Sequence, residues 1–459
     1  MRIAFATLRF PSHLNSMTSL ARKVREHGHE VFFVGVPDSE SFVRAAGIEF
    51  YSVAEREFPV GSWLERDAQL AKLSGAAGLR FTIQGLCSVF DAIVRDCPDV
   101  FRRARAQAAV LDQLATGYTA VAKQMGLPII HVAIALAGNP WDCAPPAAFG
   151  WPYRAGWISR LRNRTGHAIL RYLVRTYTAR VADYYRQHGV AFDFGGLAFG
   201  CSKLAQIAQT PAAFEFPNPE LPPWFHHTGP FDDGGGRAEV QFPWERLTGE
   251  PLIYASMGTL QNGFEHVFRT IAEACSGLGC QLVLSIGTKL TMHDIGPLPG
   301  NCIAVNYAPQ RELLRRATLC ITHAGLTTAL ESLAAGVPML AIPVTNDQPG
   351  VAARIAYTRT GTVVPIRRLN ALRLRRAIRQ VLEDGKYREN ARRMQAEIQA
   401  ANGLERAAHI IDQCLDVRSQ LHSDAASHLP MTDSAKREQV DQRPELIGSP
   451  HIGKTQVLQ

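Results

Sequence analysis

The segment from Tyr307 to Gln348 groups residue types suited to holding a nucleotide, a diphosphate and a sugar. It contains, in order, the sequences Y-A-P-Q, T-H-A-G-L-T-T-A-L-E, G-V-P and N-D-Q. Amide, carboxylate and hydroxyl side chains supply hydrogen-bond donors and acceptors for sugars, and main-chain N–H groups at a helix start bind phosphate. The types and spacing of these residues therefore predict a site for a sugar nucleotide.

His323 is predicted to lie at a turn between a strand and a helix. The apolar run L-C-I-T at 319–322 indicates a short strand, which Gly325 interrupts. A helical pattern then runs from 326 to 335 and ends at Gly336. Such a turn points free backbone N–H groups and the positive end of a helix dipole at the space in front of it. This geometry suits a diphosphate.

Polar side chains near this helix can supply further contacts. Thr327 and Thr328, in the first helical turn, add hydroxyl donors. Glu331 lies four residues after Thr327, on the same helical face, where its carboxylate can accept hydrogen bonds from ribose hydroxyls. Asp347 and Gln348 follow the next apolar strand and offer the acceptors and donors that hexose hydroxyls require.

The same segment resembles the donor-binding signature of the family-one glycosyltransferases, which include UDP-glucuronosyl, plant secondary-metabolite and bacterial natural-product transferases. By this resemblance Tyr307, where the family usually has Trp, would stack on the base, and Gln310 would hydrogen-bond it. Thr327 replaces the Asn of plant members, and the spacing from Tyr307 to His323 is that of bacterial members. Uridine and thymidine diphosphates both stay open as donors. The family's other contacts fall on His323 for the diphosphate, Glu331 for the ribose, and Asp347 with Gln348 for the transferred sugar.

A second, smaller signal is the sequence S-M-G-T at 256–259. Ser256, Gly258 and Thr259 follow the first predicted strand of the second half, and ligands bind at the carboxyl ends of strands in open sheets. Their backbone and hydroxyl groups can touch the same diphosphate. With Gly325 they complete the predicted donor site.

His13 is the candidate general base for such a transfer, which needs an acceptor hydroxyl made nucleophilic. It lies in the loop F-P-S-H-L-N-S after the first strand and matches the N-terminal catalytic histidine of the family. Asp112, at the end of the predicted strand in A-V-L-D-Q, would hold one ring nitrogen while the other takes the proton. The alternatives are an ordinary surface histidine and a carboxylate that caps a helix.

These assignments predict a single displacement with inversion at the anomeric carbon and no covalent intermediate. His323 and the helix N-terminus would offset the charge that grows on the diphosphate. The chain contains no D-x-D pair and no G-x-G-x-x-G after its first strand. We therefore expect neither a bound metal nor a nucleotide cofactor, the sugar nucleotide being a substrate.

The composition fits a globular enzyme of 459 residues with two sizeable domains, 46 % hydrophobic and 8 % aromatic. No run of about eighteen consecutive apolar residues occurs, and the start of the sequence has neither a long apolar region nor a cleavage pattern, so we expect neither secretion nor a membrane span. Nine cysteines are scattered without C-x-x-C spacing, which favours reduced core thiols. A cytoplasmic location is expected.

Most of the net charge of +8 comes from residues 151–180, which contain seven arginines and no acidic residue. The rest of the chain is nearly neutral, which argues against nucleic-acid binding. Because aromatic and apolar side chains accompany the arginines, peripheral contact with an anionic membrane surface is one interpretation. The other is a solvated basic helix. The arginines are Arg154, Arg160, Arg162, Arg164, Arg171, Arg175 and Arg180.

Short apolar strands alternate with helical patterns in both halves, which predicts an α/β protein with parallel sheets. Together with the resemblance, this implies a GT-B fold, in which two Rossmann-like, doubly wound domains face a cleft. The expected organisation is an acceptor domain at 1–220, a Pro- and Gly-rich linker at 221–250, a donor domain at 251–417 whose last helix returns to the first domain, and a disordered tail at 418–459.

Four segments resemble a subgroup of the family, the glucosyltransferases of bacterial carotenoid pathways. They are S-K-L-A-Q-I-A-Q-T-P-A-A-F-E-F-P at 202–217, F-H-H-T-G-P at 225–230, A-S-M-G-T-L-Q at 255–261 and N-D-Q-P-G-V-A-A-R-I at 346–355. This likeness implies transfer of glucose from UDP-glucose to a hydroxyl of a lipophilic acceptor, a carotenoid such as zeaxanthin. The alternatives are a macrolide, sterol or phenolic acceptor with a UDP- or TDP-sugar, and a non-catalytic nucleotide-sugar-binding protein.

Overall fold

The structure is a computed structural model that describes residues 1–71, 73, 75–191, 201–235, 240–258, 265–287 and 290–427. Met1–Leu415 form one compact unit and Asp416–Gln459 a second. Of the second unit the structure describes residues 416–427, which are helical although they overlap the expected disordered tail. The remainder of that tail, 428–459, lies outside the described residues.

The first half contains a parallel sheet of seven strands in the order β3-β2-β1-β4-β5-β6-β7. These strands are β1 (Arg2–Ala6), β2 (Glu30–Gly35), β3 (Glu49–Ser52), β4 (Ala108–Asp112), β5 (Ile129–Ala133), β6 (Ala205–Ala208) and β7 (Phe225–His227). The helices are α1 (Pro11–Glu26), α2 (Glu40–Ala45), α3 (Trp63–Ala71), α4 (Gly75–Arg103), α5 (Thr116–Gln124), α6 (Trp157–Leu173) and α7 (Arg175–Gln187).

The second half contains a parallel sheet of six strands in the order β10-β9-β8-β11-β12-β13. These strands are β8 (Leu252–Ser256), β9 (Gln281–Ser285), β10 (Cys302–Val305), β11 (Ala317–Thr322), β12 (Met339–Ala341) and β13 (Gly361–Val363). The helices are α8 (Glu265–Cys275), α9 (Met292–Ile295), α10 (Gln310–Leu314), α11 (Leu326–Ala334), α12 (Gln348–Tyr357), α13 (Ala371–Glu383), α14 (Gly385–Ala401) and α15 (Gly403–Ser427).

Both sheets are buried on both faces, which is why their strands read as continuous apolar runs. In β1, Ile3 and Phe5 enter the core on one face, while Ala4 and Ala6 enter the core on the other. Successive side chains of a strand point to opposite faces, so an unbroken apolar run serves two helical layers. The predicted α/β fold with two doubly wound parallel sheets is confirmed.

Helix α15 follows the second half but packs on the first sheet. Leu404, Ala408 and Ile411 lie in the same core as Ile3 and Phe5. Strand β7 is the last strand of the first sheet, although its residues fall within the segment that the sequence indicates as a linker. Three apolar or imidazole residues between Pro- and Gly-rich turns are too short a run to reveal a strand. None of the helices described is long and apolar enough to cross a membrane.

Candidate active site

One cavity of about 680 Å³ is bordered by the carboxyl ends of both sheets. The strand order reverses between β1 and β4 in the first sheet and between β8 and β11 in the second. Loops that leave neighbouring strands in opposite directions open a crevice at such a switch point. His13 after β1, Ser256 at the end of β8 and His323 after β11 all line this cavity.

His13 lies in the first turn of α1, not in a loop as the sequence suggested, because Pro11 starts the helix earlier. Its Nδ1 is 2.6 Å from Oδ2 of Asp112, at the end of β4. The Thr7 hydroxyl donates to the same oxygen at 2.7 Å, and the Leu114 N–H donates to Oδ1 at 3.0 Å. The carboxylate is thus fixed on both oxygens and orients the imidazole.

Asp112 is fully buried behind His13. Burial by itself would raise the pKa of its carboxyl group, but attraction and hydrogen bonding to His13, the Thr7 hydroxyl and the Leu114 N–H hold that pKa below its ordinary value. The carboxylate is therefore ionised at neutral pH. With Nδ1 of His13 engaged, Nε2 is the ring nitrogen that can take a proton from a hydroxyl in the cavity.

Two glycines make room for the ring of His323. A Cβ atom added at Gly258 or at Gly325 would lie 2.5 Å from Nε2 of His323. Gly258 also has a φ of +77°, which side chains other than glycine rarely adopt. The two turns after β8 and β11 therefore approach each other as closely as glycine allows, with the imidazole between them.

His323 sits at a strained strand-to-helix turn. The next residue, Ala324, has a φ of +65°, and its N–H donates to the hydroxyl of buried Thr322 at 3.1 Å. Burial lowers the pKa of His323 to about 4, against an opposing interaction with the Ser256 carbonyl. The ring is therefore neutral at physiological pH, and a neutral imidazole can contact an anion by hydrogen bonding but not as a cation.

The first turn of α11 borders the cavity beside His323. Gly325 precedes the helix, and Thr327 and Thr328 line the cavity at the helix N-terminus. On the facing turn the N–H of Gly258 donates to the Ser256 hydroxyl at 3.3 Å. Thr259, the fourth residue of S-M-G-T, lies outside the described residues.

Gln310 and Glu331 form a connected pair. The side-chain amide nitrogen of Gln310 donates to the Glu331 carboxylate at 2.6 Å. The Tyr254 hydroxyl donates to the side-chain carbonyl of Gln310 at 3.0 Å. Gln310 lines the main cavity, whereas Glu331 borders a small neighbouring pocket that it shares with Thr327. Tyr307, 49 % exposed at the cavity margin, presents the aromatic side chain of this region.

Asp347 and Gln348 lie at the start of α12, and their surroundings differ. Burial raises the pKa of Asp347, although the Leu136 N–H donates to its carboxylate at 3.2 Å. The side-chain carbonyl of Gln348 accepts the N–H groups of Val344 at 2.9 Å and Thr345 at 3.0 Å. Gln348 therefore holds the loop that presents Asp347, which is a structural role that the sequence did not indicate.

Three residues of the site were missed by sequence reasoning. Thr7 fixes Asp112, Tyr254 fixes Gln310, and the Leu136 N–H fixes Asp347. Thr7 directly follows β1, so its place at a switch point was a usable signal. The sequence around Tyr254 predicts only a core residue within an apolar strand. A main-chain donor such as that of Leu136 does not depend on the residue type, so the sequence does not indicate it.

The first half contributes an apolar and aromatic wall to the cavity, which the sequence did not identify. Its residues come from α3, α4, α6 and α7, which are far apart along the chain. The Arg9 guanidinium lies 4.2 Å from the centre of the Trp63 ring on this wall. Large apolar members of the wall are Trp63, Phe81, Phe90, Ile93, Leu170 and Tyr177.

Among the described residues, His27, His409 and Asp412 are close enough to one another to hold a metal ion. They lie where the end of α1 meets α15, and none of the three lines the cavity.

Residues 206–418 match the family model described as UDP-glucoronosyl and UDP-glucosyl transferase. The chain is 30 % identical over 408 residues to a zeaxanthin glucosyltransferase of Pantoea ananas, covering 88 % of this chain and 94 % of that protein.

Solved structures show the same fold. The calicheamicin glycosyltransferase CalG4 superposes with a TM-score of 0.68 at 22 % identity, covering 90 % of this chain and 98 % of that one. The glycosyltransferase VinC in complex with dTDP superposes with a TM-score of 0.64 at 19 % identity, covering 92 % and 100 %. The predicted GT-B architecture is confirmed by this similarity.

Proposed function

This chain belongs to the family-one glycosyltransferases, and we propose that it transfers glucose from UDP-glucose to a hydroxyl group of a carotenoid such as zeaxanthin. The observation that carries the proposal is that one cavity combines the His13–Asp112 pair, 2.6 Å apart, with the His323 turn of the donor motif. A base and a proposed diphosphate site that border the same cavity suit a direct transfer between two substrates.

In the proposed reaction, Nε2 of His13 accepts the proton of the acceptor hydroxyl as its oxygen attacks the anomeric carbon. The bond from that carbon to the diphosphate oxygen breaks, so the sugar inverts and UDP leaves with the bonding electrons. Asp112 stabilises the imidazolium that forms. Neutral His323, the start of α11 and the hydroxyls of Thr327 and Thr328 hydrogen-bond the diphosphate as its charge grows.

The donor would lie along the side of the cavity that is formed by the second half of the chain. Tyr307 would stack on the base, Gln310 would hydrogen-bond it, and Glu331, oriented by Gln310, would bind the ribose. Asp347, held by the Leu136 N–H, would bind the hexose. This arrangement assigns no step to a metal or cofactor.

The acceptor would lie along the aromatic wall of the first half. An apolar wall bordering a cavity of about 680 Å³ favours a lipophilic acceptor, and the relative from Pantoea ananas is named for zeaxanthin. The reduced cysteines that we infer favour a cytoplasmic enzyme. Such an enzyme would meet a lipophilic acceptor at the membrane surface.

The second candidate is a natural-product glycosyltransferase with a TDP-sugar donor and a macrolide, sterol or phenolic acceptor. Its support is the similarity in fold to the calicheamicin glycosyltransferase and to the enzyme solved with dTDP. Tyr307, in the place of the usual Trp, is compatible with either base. A non-catalytic nucleotide-sugar-binding protein is less favoured because such a protein has no need of the His13–Asp112 pair.

The test is turnover of UDP-glucose with zeaxanthin in detergent micelles, with UDP release and glucosylated product followed together. We expect both to form in equal amounts. UDP release without product would retain the donor and reject the carotenoid. Stronger inhibition by TDP than by UDP would favour the second candidate, and the absence of both products with a full donor panel would reject catalysis.

A further inference from the structure

Helix α6 has an apolar face directed outward. Trp157 is 74 % exposed, Leu161 57 % and Tyr172 63 %, and Ile158 and Ile169 on the same side are also exposed. At about 3.6 residues per turn these positions fall on one face of the helix. An exposed helix of a globular protein normally presents polar residues to solvent, whereas this helix presents apolar and aromatic residues there.

The opposite face of α6 packs on the protein and reaches the cavity. Ser159, Asn163 and Gly166 are buried, and the Asn163 amide donates to the Asp142 carbonyl at 2.8 Å. A Cβ atom at Gly166 would lie 2.8 Å from the Trp151 ring, so the contact is close. His167 and Leu170, farther along this face, line the cavity. One helix thus separates the apolar wall of the cavity from the exterior.

Arginines flank the outward face. Arg160 and Arg164 make ion pairs with Glu220 at 2.7 Å and Asp142 at 2.5 Å, which partly offset their charge. Arg154 and Arg171 are exposed, and no ion pair to either is found within the described part of the chain. The face therefore combines exposed apolar and aromatic side chains with an excess of positive charge, which complements an anionic lipid surface.

We propose that α6 docks on an anionic membrane, with its outward face in the interfacial layer, and that the acceptor passes from the bilayer into the cavity beside it. The passage of the acceptor into the cavity rests on the proposed function, whereas the binding of α6 to the membrane does not. Apolar burial would anchor the helix, and arginine attraction would make the binding weaken as salt is raised.

Flotation of the full-length chain with vesicles, without donor or acceptor, tests the docking. The two vesicle types are phosphatidylcholine alone and phosphatidylcholine mixed with phosphatidylglycerol. We expect flotation with the anionic vesicles and little with the neutral ones. Failure of the wild-type chain to float with anionic vesicles would overturn the proposal and leave the proposed reaction untouched.

The apolar contribution has a matched control. Leu161→Gln combined with Tyr172→Gln should weaken binding to anionic vesicles by at least about tenfold, because two side chains lose burial in lipid. Leu372→Gln, which alters a leucine 61 % exposed on α13 in the other half, should bind like the wild type. Equal binding by all three chains would reject α6 as the docking face. Thermal unfolding of each variant shows whether it is folded.

The charge contribution is separable. Arg154→Gln with Arg171→Gln should weaken binding by about fivefold for each arginine near the lipid surface. The control pair, Arg376→Gln with Arg379→Gln, makes the same charge change on exposed positions of α13. An equal loss in both pairs would mean that net charge, not this face, drives binding.

The measurement that connects docking to turnover uses one acceptor in two forms. The Leu161→Gln, Tyr172→Gln chain should turn over zeaxanthin in detergent micelles as the wild type does, yet be slower with zeaxanthin in vesicles. Equal loss in both forms would mean that the face acts on the site rather than on the membrane. A wild-type dimer that the same substitutions dissociate, without vesicle binding, would assign the face to a second copy of the chain.

Discussion

His13 and His323, which both line the cavity, differ in their partners, and this difference suits them to different roles. His13 is hydrogen-bonded to a buried, ionised Asp112, so it can gain a proton and remain stabilised. His323 is buried between two glycines, and its pKa is lowered to about 4, so it stays neutral. One imidazole suits general-base catalysis and the other suits hydrogen bonding to a phosphate.

Replacing the proposed base should abolish most of the turnover. We expect His13→Ala to lower kcat by about 10²–10⁴-fold, because positioned proton transfer contributes that much. UDP affinity, measured by calorimetry, should be unchanged. His293→Ala, at an exposed position of α9, is the matched control and should keep wild-type turnover. Undiminished turnover in His13→Ala would reject the proposed mechanism.

Removing the charge behind the base should lower turnover. In Asp112→Asn the imidazolium that forms on His13 during the transfer loses its carboxylate partner, so the transition state is less stabilised. We expect kcat to fall by at least about 10²-fold while UDP affinity, measured by calorimetry, stays unchanged. Wild-type kcat in Asp112→Asn would mean that the charge of Asp112 does not assist the base.

The glycine beside His323 should be required for donor binding. Gly325→Ala places a methyl group 2.5 Å from Nε2 of His323, and the φ of Gly325, −64°, allows alanine without backbone strain. Displacement of the ring would cost a hydrogen bond to a charged group, so UDP should bind at least about tenfold more weakly. Gly385→Ala, which meets no atom within 4 Å, is the control. Equal UDP affinity in both would remove His323 from the diphosphate site.

At the scale of elements, α15 is joined to α1 and to the start of β2 by a cluster of imidazole and carboxylate groups. His27, after α1, contacts Asp412 at 2.6 Å and Glu405 at 3.0 Å, and His29 contacts Asp412 at 3.0 Å. His409 lies over His27, with ring centres 5.1 Å apart. The hydrogen bond to Asp412 raises the pKa of His27, helped by Glu405 and opposed by burial.

This cluster should make stability depend on pH. Because the folded-state pKa of His27 lies above its unfolded value near 6.5, its stabilisation is fully present below pH 6.5 and is lost as the pH rises through the raised pKa. The free energy of unfolding should therefore fall with rising pH above 6.5, and less steeply in His27→Gln. His293→Gln is the matched control. Identical slopes in denaturant unfolding of wild type and His27→Gln would contradict this.

The sequence predicted most of the strands but missed four short ones. The strands β1, β5 and β8 have continuous apolar runs because both of their faces are buried. The unpredicted strands β3, β6, β7 and β13 have three or four residues each and lie toward the sheet edges or follow turns. Short runs carry too little periodicity to separate a strand from an apolar loop.

The domain limits that the sequence analysis gives, 1–220, 221–250, 251–417 and 418–459, stay predictions.

At the scale of the molecule, the two halves are held together beside the cavity. Arg354 on α12 donates to Glu215, after β6, at 2.7 Å, and both side chains are nearly buried. The Arg354 guanidinium also lies 4.4 Å from the centre of the Phe216 ring. A Cβ at Gly350 would lie 2.6 Å from the Ala147 carbonyl oxygen, so α12 meets the first half backbone to backbone.

Breaking this ion pair should destabilise the chain. Glu215→Gln leaves the Arg354 charge buried without its carboxylate and should lower the free energy of unfolding by about 3–5 kcal/mol. Glu220→Gln removes a carboxylate of similar chemistry from the exposed pair with Arg160 and should lower the free energy of unfolding much less, because solvent screens a surface pair. Denaturant unfolding measures both. Equal losses would show that the pair between the halves contributes no more than a surface pair.

The sequence alone determined the alternating α/β pattern and the donor motif from Tyr307 to Gln348. A strand that is buried on both faces has a continuous run of apolar residues, which the sequence shows directly. The residues of the donor motif lie within one stretch of chain. Only the tertiary structure decided that Asp112 meets His13, which is 99 positions away, and that α6 turns apolar residues outward. A residue pattern records how much surface is buried, but the partner that covers it is fixed by the order of the strands and the packing of the helices.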